Sequence, residues 1–262
     1  MKKILLILVA ILAAHTAVFA QGRGGRGGAA APPQAPKAAA PIDVTGYWVS
    51  VVTEDWRYRM VPPSKGDYQG VPMTPAARAI ADTWDPAKEE ASGDLCKSYG
   101  APALLRVPGR LHITWTDDQT LQMETDAGKQ TRVFHFPSTG SGQAATGSGL
   151  AKLPASGPHT IQGDSVAEWV GGGRGATDGT LQVTTTNLKA GFLRKNGVPY
   201  SENATLTEYY ELITQPDGAP LMVVTIVTTD PQYLREPFII TSHFKKQNSD
   251  AGWTPSACSS KW

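Results

Sequence analysis

The chain predicts an all-β fold: an antiparallel meander closing into a barrel or a lipocalin-like half-open barrel, with a short helical insertion near residues 74–92. Three observations carry this expectation. From Thr205 onward, TLTEYYELIT, APLMVVTIVTT and FIITSHFKK are rich in Val, Ile, Thr, Tyr and Phe, and they are separated by QPDG and DPQYLREP. β-Branched and aromatic runs divided by Pro, Asp and Gly are the signature of strands joined by tight turns. The earlier chain repeats the pattern, giving nine or ten strands connected mostly to their neighbours. Edge strands in such a sheet invite aggregation, and closure removes them, which favours a barrel over the alternative, a sandwich.

In chain order, GYWVSVVTE (46–54) opens the domain as a strand, and WRYRM continues it to Met60, ahead of Val61-Pro62-Pro63. In an extended segment Trp56, Tyr58 and Met60 share one side and Arg57 and Arg59 the other. Two arginines beside aromatics suit an anion clamp or a stack beneath a planar ligand, and they equally suit a solvated strand face. The helical part spans Pro72 to about Cys96. Thr74-Pro75 opens AARAIADTW and Asp85-Pro86 opens AKEEASG, each a capping residue followed by a proline. Two such short helices suit a lid, plug or end-cap.

Strands resume as ALLRV, RLHITWT, TLQMET and QTRVFHF. In RLHITWT, alternation with Leu111, Ile113 and Trp115 turns His112 outward. In the fourth strand Arg132, Phe134 and Phe136 alternate with Thr131, Val133 and His135, and either face suits the interior. Residues 137–163, rich in Gly, Ser, Pro and Ala, read as a long loop around a short strand, either a flap or plain surface. DSVAEWV and TLQVTTTNL are strands. The intervening GGGRGATDG lacks the lysine and hydroxyl residue of a phosphate-binding loop and enters a strand, which excludes that role. KAGFLRKNGVPYSENA reads as a turn-rich link.

The ends differ from the body. Residues 1–20, two lysines followed by an apolar run ending Val-Phe-Ala, read as a secretory signal cleaved before Gln21. Residues 21–43 read as a disordered Gly/Arg/Pro/Ala-rich tether, residues 44–249 as one barrel-like domain and 250–262 as a C-terminal tail. Periplasmic or secreted localisation follows, without membrane insertion after cleavage. The formal charge is +1; without Lys2, Lys3, Arg23, Arg26 and Lys37, 19 basic groups face 23 acidic ones, a net of −4. A mildly acidic body argues against a nucleic-acid partner. Cys96 and Cys258 either form one disulfide tying the tail to the early loops or remain separate thiols.

Three stretches, GYWVSVVTEDWRYRM, RVPGRLHITWTDDQTLQMETDAGKQTRVFHF, and GFLRKNGVPYSENATLTEYYEL with DPQYLREPFIITSHFKK, resemble a family of uncharacterised exported bacterial proteins. A broader set is similar in its Gly163-Asp164-Ser165-Val166…Trp169 strand, its Thr207-Glu208-Tyr209 strand and its Asp230-Pro231-Gln232-Tyr233 turn. The resemblance implies export and a β architecture and carries over no catalytic residue.

The strongest chemical candidate is Glu208. On a two-residue period it shares a face with Leu206, Tyr210 and Leu212, so an inward face buries a carboxylate, which then needs a partner. The expected partner is an Arg, His or Tyr, and Tyr209 and Glu211 are expected to be more exposed than Tyr210 and Leu212. Three functions follow. One is a barrel cavity binding a small apolar or aromatic ligand through Trp56, Arg57, Arg59, Tyr210 and Tyr233. The second is acid–base catalysis (isomerisation, hydration or hydrolysis) by Glu208 with His135. The third is a structural or protein-interacting envelope component. No HxH, HExxH or G-x-S-x-G motif is present, so neither a metal nor a cofactor nor a serine nucleophile is expected. A ligand set of His135, His243 and Glu208 is the one metal alternative.

Overall fold

The computed structural model describes residues 34–137, 157–171 and 178–260. The expectations for the signal, for the tether up to Pro33, for most of the 137–163 loop and for the centre of the glycine run lie outside the described residues. The elements in order are β1 (Gly46–Val51), α1 (Trp56–Arg59), α2 (Pro75–Ala81), α3 (Pro86–Ser92), a 3-10 turn (Lys97–Tyr99), α4 (Ala101–Leu104), β2 (Arg110–Trp115), β3 (Thr120–Thr125), β4 (Thr131–His135), β5 (Asp164–Val170), β6 (Thr180–Thr186), β7 (Gly191–Arg194), β8 (Val198–Tyr200), β9 (Thr205–Thr214), β10 (Pro220–Thr229) and β11 (Phe238–Gln247).

Nine strands form a closed barrel in the order β1-β11-β10-β9-β6-β5-β4-β3-β2, while β7 and β8 form a separate hairpin. A ring of strictly alternating directions needs an even number of strands. Nine close because one neighbouring pair, β4 and β5, runs parallel, with Phe134 opposite Ser165. A parallel neighbour needs a long crossover, and the residues between His135 and Asp164 supply the length.

Helices α1–α4 all lie in the β1–β2 connection and the β7–β8 hairpin lies in the β6–β9 connection. Both connections leave the barrel at the same end, so the helical expectation of an end-cap holds. Thr74 Oγ1 accepts from the Ala77 amide at 3.2 Å, and the Asp85 carboxylate accepts from the Ala87 amide at 3.0 Å. Each helix carries proline in its first turn, where no amide is needed.

Three local expectations are corrected. WRYRM does not extend β1: Asp55 adopts the left-handed region (φ 51°) and turns the chain into α1. Trp56 and Met60 then face solvent, 64% and 55% exposed, while Arg59 is buried. ALLRV is not a strand: Gly100-Ala101-Pro102 starts α4, whose Leu104 and the following Leu105 fill the capped end. Within KAGFLRKNGVPYSENA, GFLR and VPY are paired strands, and residues Leu193–Ser201 are buried. Gly197 at their turn has φ +82°, and a Cβ there would lie 2.2 Å from that of Trp84, so only glycine fits.

Both flanks pack on the barrel. The Trp169 indole N–H donates to the Pro36 carbonyl at 2.9 Å and the Lys37 amide to the Asp118 carbonyl at 3.2 Å, so residues 34–43 belong to the folded body. In the tail, Trp253 meets the stacked pair Tyr47–His112 edge-on, Ser256 bridges to Ala127, and Cys258 is disulfide-bonded to Cys96.

Candidate functional site

Two charged centres occupy this scaffold, one inside the barrel and one at its capped end. Inside, Glu208 on β9 is fully buried, between Leu206 and Tyr210 on the same inward face, and Tyr209 is more exposed than Tyr210 and Glu211 than Leu212, as the strand period requires. Its partner is Arg132 on β4, which reaches across β5 and β6. Arg132 Nη1 donates to Glu208 Oε1 at 2.7 Å and Nη2 to Oε2 at 2.6 Å. Arg132 Nη2 also donates to Thr185 Oγ1 at 3.0 Å, and that hydroxyl lies 2.8 Å from Ser165 Oγ. Small inward residues on β5, Ser165 and Ala167, leave the space the guanidinium crosses. Tyr210 Oη donates to Glu208 Oε1 at 3.2 Å. Burial opposes charge on Arg132, but Glu208 and then Tyr210 outweigh it and raise the pKa. Burial, then the Glu208 carboxylate, push the Tyr210 phenol well above its ordinary range. Bidentate geometry and the added bonds from Thr185 and Tyr210 are what a buried pair of this kind needs to offset its desolvation.

The second centre assembles around α1. Arg59 is fully engaged: Nε donates to the Arg106 carbonyl at 2.9 Å, Nη2 to Ser50 Oγ at 3.1 Å and to the Leu105 carbonyl at 3.3 Å, and Nη1 pairs with Glu54. These bonds fasten α1 to β1 and to the end of α4. Asp55, held in its left-handed turn, aims its Oδ2 at Arg106 (2.6 Å) and Arg194 (3.8 Å). The Arg194 guanidinium lies 4.2 Å from the Tyr58 ring centroid and 5.7 Å from that of Phe238, and Nη1 donates to the Gln69 carbonyl at 2.7 Å. Burial, then the neighbouring charge of Arg106, lower the Arg194 pKa to about 10. Lys195 donates to Tyr99 Oη at 2.8 Å, and burial lowers its pKa to about 8.

Over this cluster opens a pocket of about 640 Å³. Tyr58, Phe238, Ile239 and Ile240 give it an apolar wall; Arg57 and Arg194 bring cations and Glu54 and Asp55 carboxylates. A pocket of about 580 Å³ at the opposite end, lined by Ile42, Leu212 and Ile213, lacks basic groups among its described lining.

The expected ligand set does not converge. Arg57 lines the pocket and pairs with Asp67 at 2.8 Å, whereas Trp56 points to solvent and Arg59 is consumed by protein bonds. Tyr210 belongs to the interior ion pair. Tyr233 sits half-buried in the turn organised by Asp230, whose carboxylate accepts from the Tyr233 amide at 3.3 Å and from Ser201 at 2.6 and 2.8 Å. His135 is corrected as the partner of Glu208: it stands on the exposed face of β4, because β4 turns Arg132 and Phe134 inward. His243 is also on an outer face, 3.1 Å from Glu54, so the alternative metal set does not assemble. Among the described residues no group of three metal-ligating side chains forms.

Comparison with protein-family models, curated proteins and solved structures finds no match. No role can therefore be borrowed from a relative.

Sequence reading missed Asp55, Arg106, Arg194 and Phe238. The string FLRKNGVPYS held a signal: two cations in a short hairpin between apolar residues that bury both arms. Turn chemistry at Asn196-Gly197 masked it.

Proposed function

We propose that this chain is an exported bacterial β-barrel protein, periplasmic or secreted, that binds a small apolar or aromatic ligand with a polar end. Binding takes place in the capped-end pocket rather than in the barrel interior. The observation that carries this reading is the pairing, in one open pocket, of an apolar wall (Tyr58, Phe238, Ile239, Ile240) with the arginines Arg57 and Arg194. Pockets of several hundred Å³ with mostly apolar walls and a few fixed polar groups are the usual form of small-molecule sites. The interior at Glu208 is instead occupied by the Arg132 guanidinium and Tyr210. Acid–base chemistry by Glu208 draws no support from this placement, since both carboxylate oxygens are held and neither is exposed.

The test is native mass spectrometry of the full chain purified from its own host, with organic extraction of whatever is released. The reading expects a protein mass beginning at Gln21 and a stoichiometric organic adduct. A mass retaining Met1 would contradict cleavage before Gln21, and an adduct unaffected by Ile239→Asp would place the ligand elsewhere.

A further inference from the structure

We propose that Arg106 and Arg194 form a seat for a monovalent anion in a small cavity behind the ligand pocket. The cavity, about 20 Å³, lies between Tyr58, Ser98, Arg106, Leu193, Arg194 and Lys195. That is room for a single water or halide-sized ion, or the tip of a carboxylate, and too little for sulfate or phosphate. Tyr58 and Arg194 border both this cavity and the larger pocket, so they form the partition between them.

The charge around it is unbalanced. The side chains of Arg106 and Arg194 are 6% and 3% exposed, and both face one carboxylate oxygen, Asp55 Oδ2. That oxygen lies 2.6 Å from Arg106 Nη1 and 3.8 Å from Arg194 Nη2, so one carboxylate is shared between two guanidinium groups. Of the other nearby carboxylates, Glu54 is engaged by Arg59 and His243, and Asp67 by Arg57 at 2.8 Å. Arg106 Nη2 and Arg194 Nε are buried and make no hydrogen bond among the described residues. Buried guanidinium N–H groups without acceptors are costly, and an anion in the cavity satisfies them while offsetting the repulsion between the two arginines. Burial lowers the pKa of both, and the carboxylates beside them, Asp55 foremost, offset it only in part. The seat stands on its own residues and can hold even where the ligand-pocket reading fails.

The test is the ³⁵Cl linewidth of chloride titrated with the full chain, at an ionic strength held constant with sulfate. A saturable excess broadening is expected, and Arg106→Gln should weaken it by roughly tenfold or more. Arg194→Gln carries the same comparison if the Arg106 variant does not fold. Displacement by bromide alone marks a free-halide seat. Displacement by benzoate as well marks a seat for the carboxylate of an organic ligand. Absence of saturable broadening, together with a thermal midpoint indifferent to chloride, bromide and benzoate, overturns the proposal; unchanged broadening in a folded variant does so too.

Discussion

At the scale of single residues, the interior is decided by Glu208 and Arg132. Removing one partner of a fully buried bidentate pair leaves an uncompensated charge or dipole, so Glu208→Gln is expected to destabilise the fold by about 3–5 kcal/mol in denaturant unfolding. The double variant Glu208→Leu, Arg132→Met should recover most of that loss, because well-packed apolar residues replace such pairs at little or no cost. A double variant as unstable as the single one would mean the pair's charges are needed for more than mutual neutralisation. Lys195 supplies a pH test. Its folded pKa, lowered to about 8 by burial, lies below the ordinary lysine value near 10.4. Between these values the unfolded chain holds the proton that the folded chain has released, so stability rises with pH across that window. Relative to Lys195→Met, the native chain should gain roughly 1–3 kcal/mol from pH 8 to 10.5. A flat difference would place the ammonium in water. The inward turn of Glu208 was legible because a two-residue period needs only one apolar face to anchor it. Its partner was not, since Arg132 and His135 lie on opposite faces of β4 and either face of TRVFHF suited the interior; an error of one position exchanges the two faces.

At the scale of elements, the capped end is built from pieces too short to announce themselves. Helices α2 and α3 were readable from Thr-Pro and Asp-Pro, whose capping and φ restriction act locally. Helix α1 has four residues, less than a helical pattern needs, and WRYR alternates as well as any strand. The turn that breaks it from β1 is a left-handed Asp55, a conformation aspartate tolerates without marking the sequence. Likewise the hairpin of β7 and β8 was legible as a turn at Asn196-Gly197, while its burial depends on loop 64–70, whose Ser64 and Asp67 carbonyls accept from Asn196 at 3.1 and 2.9 Å. Gly197→Ala joins a positive φ to a clash with Trp84 and should cost about 2 kcal/mol or more. Because this hairpin carries Arg194, the variant should also weaken ligand binding, read by the unfolding midpoint and by titration of the same sample. Full retention of both would show the turn to be plastic.

At the scale of the whole molecule, closure was foreseeable from strand number and local connection, and the parallel β4–β5 contact was not, because the parity of the ring appears only once the strands are counted in place. The disulfide between Cys96 and Cys258 spans 162 residues and ties the tail across the capped end. Long loops gain most from cross-linking, so reduction or Cys96→Ser is expected to remove about 2–5 kcal/mol, seen as a lower thermal midpoint. An unchanged midpoint would mean that the tail's non-covalent contacts, those of Trp253, Ser256, Ser259 and Ser260 among them, hold it without the disulfide. The pocket over α1 and β11 unites the ends of β1, β11 and the β7–β8 hairpin, which is why no single stretch displayed it. Binding at the capped end is tested most directly by equilibrium titration of the folded full chain with anilinonaphthalene sulfonate, an amphipathic aromatic anion, followed by fluorescence. Saturable one-site binding is expected, weakened roughly tenfold or more by Ile239→Asp at the capped end and left intact by Ile213→Asp, a comparably exposed position at the opposite end. Absence of saturable binding, or loss with Ile213→Asp and not with Ile239→Asp, would contradict it.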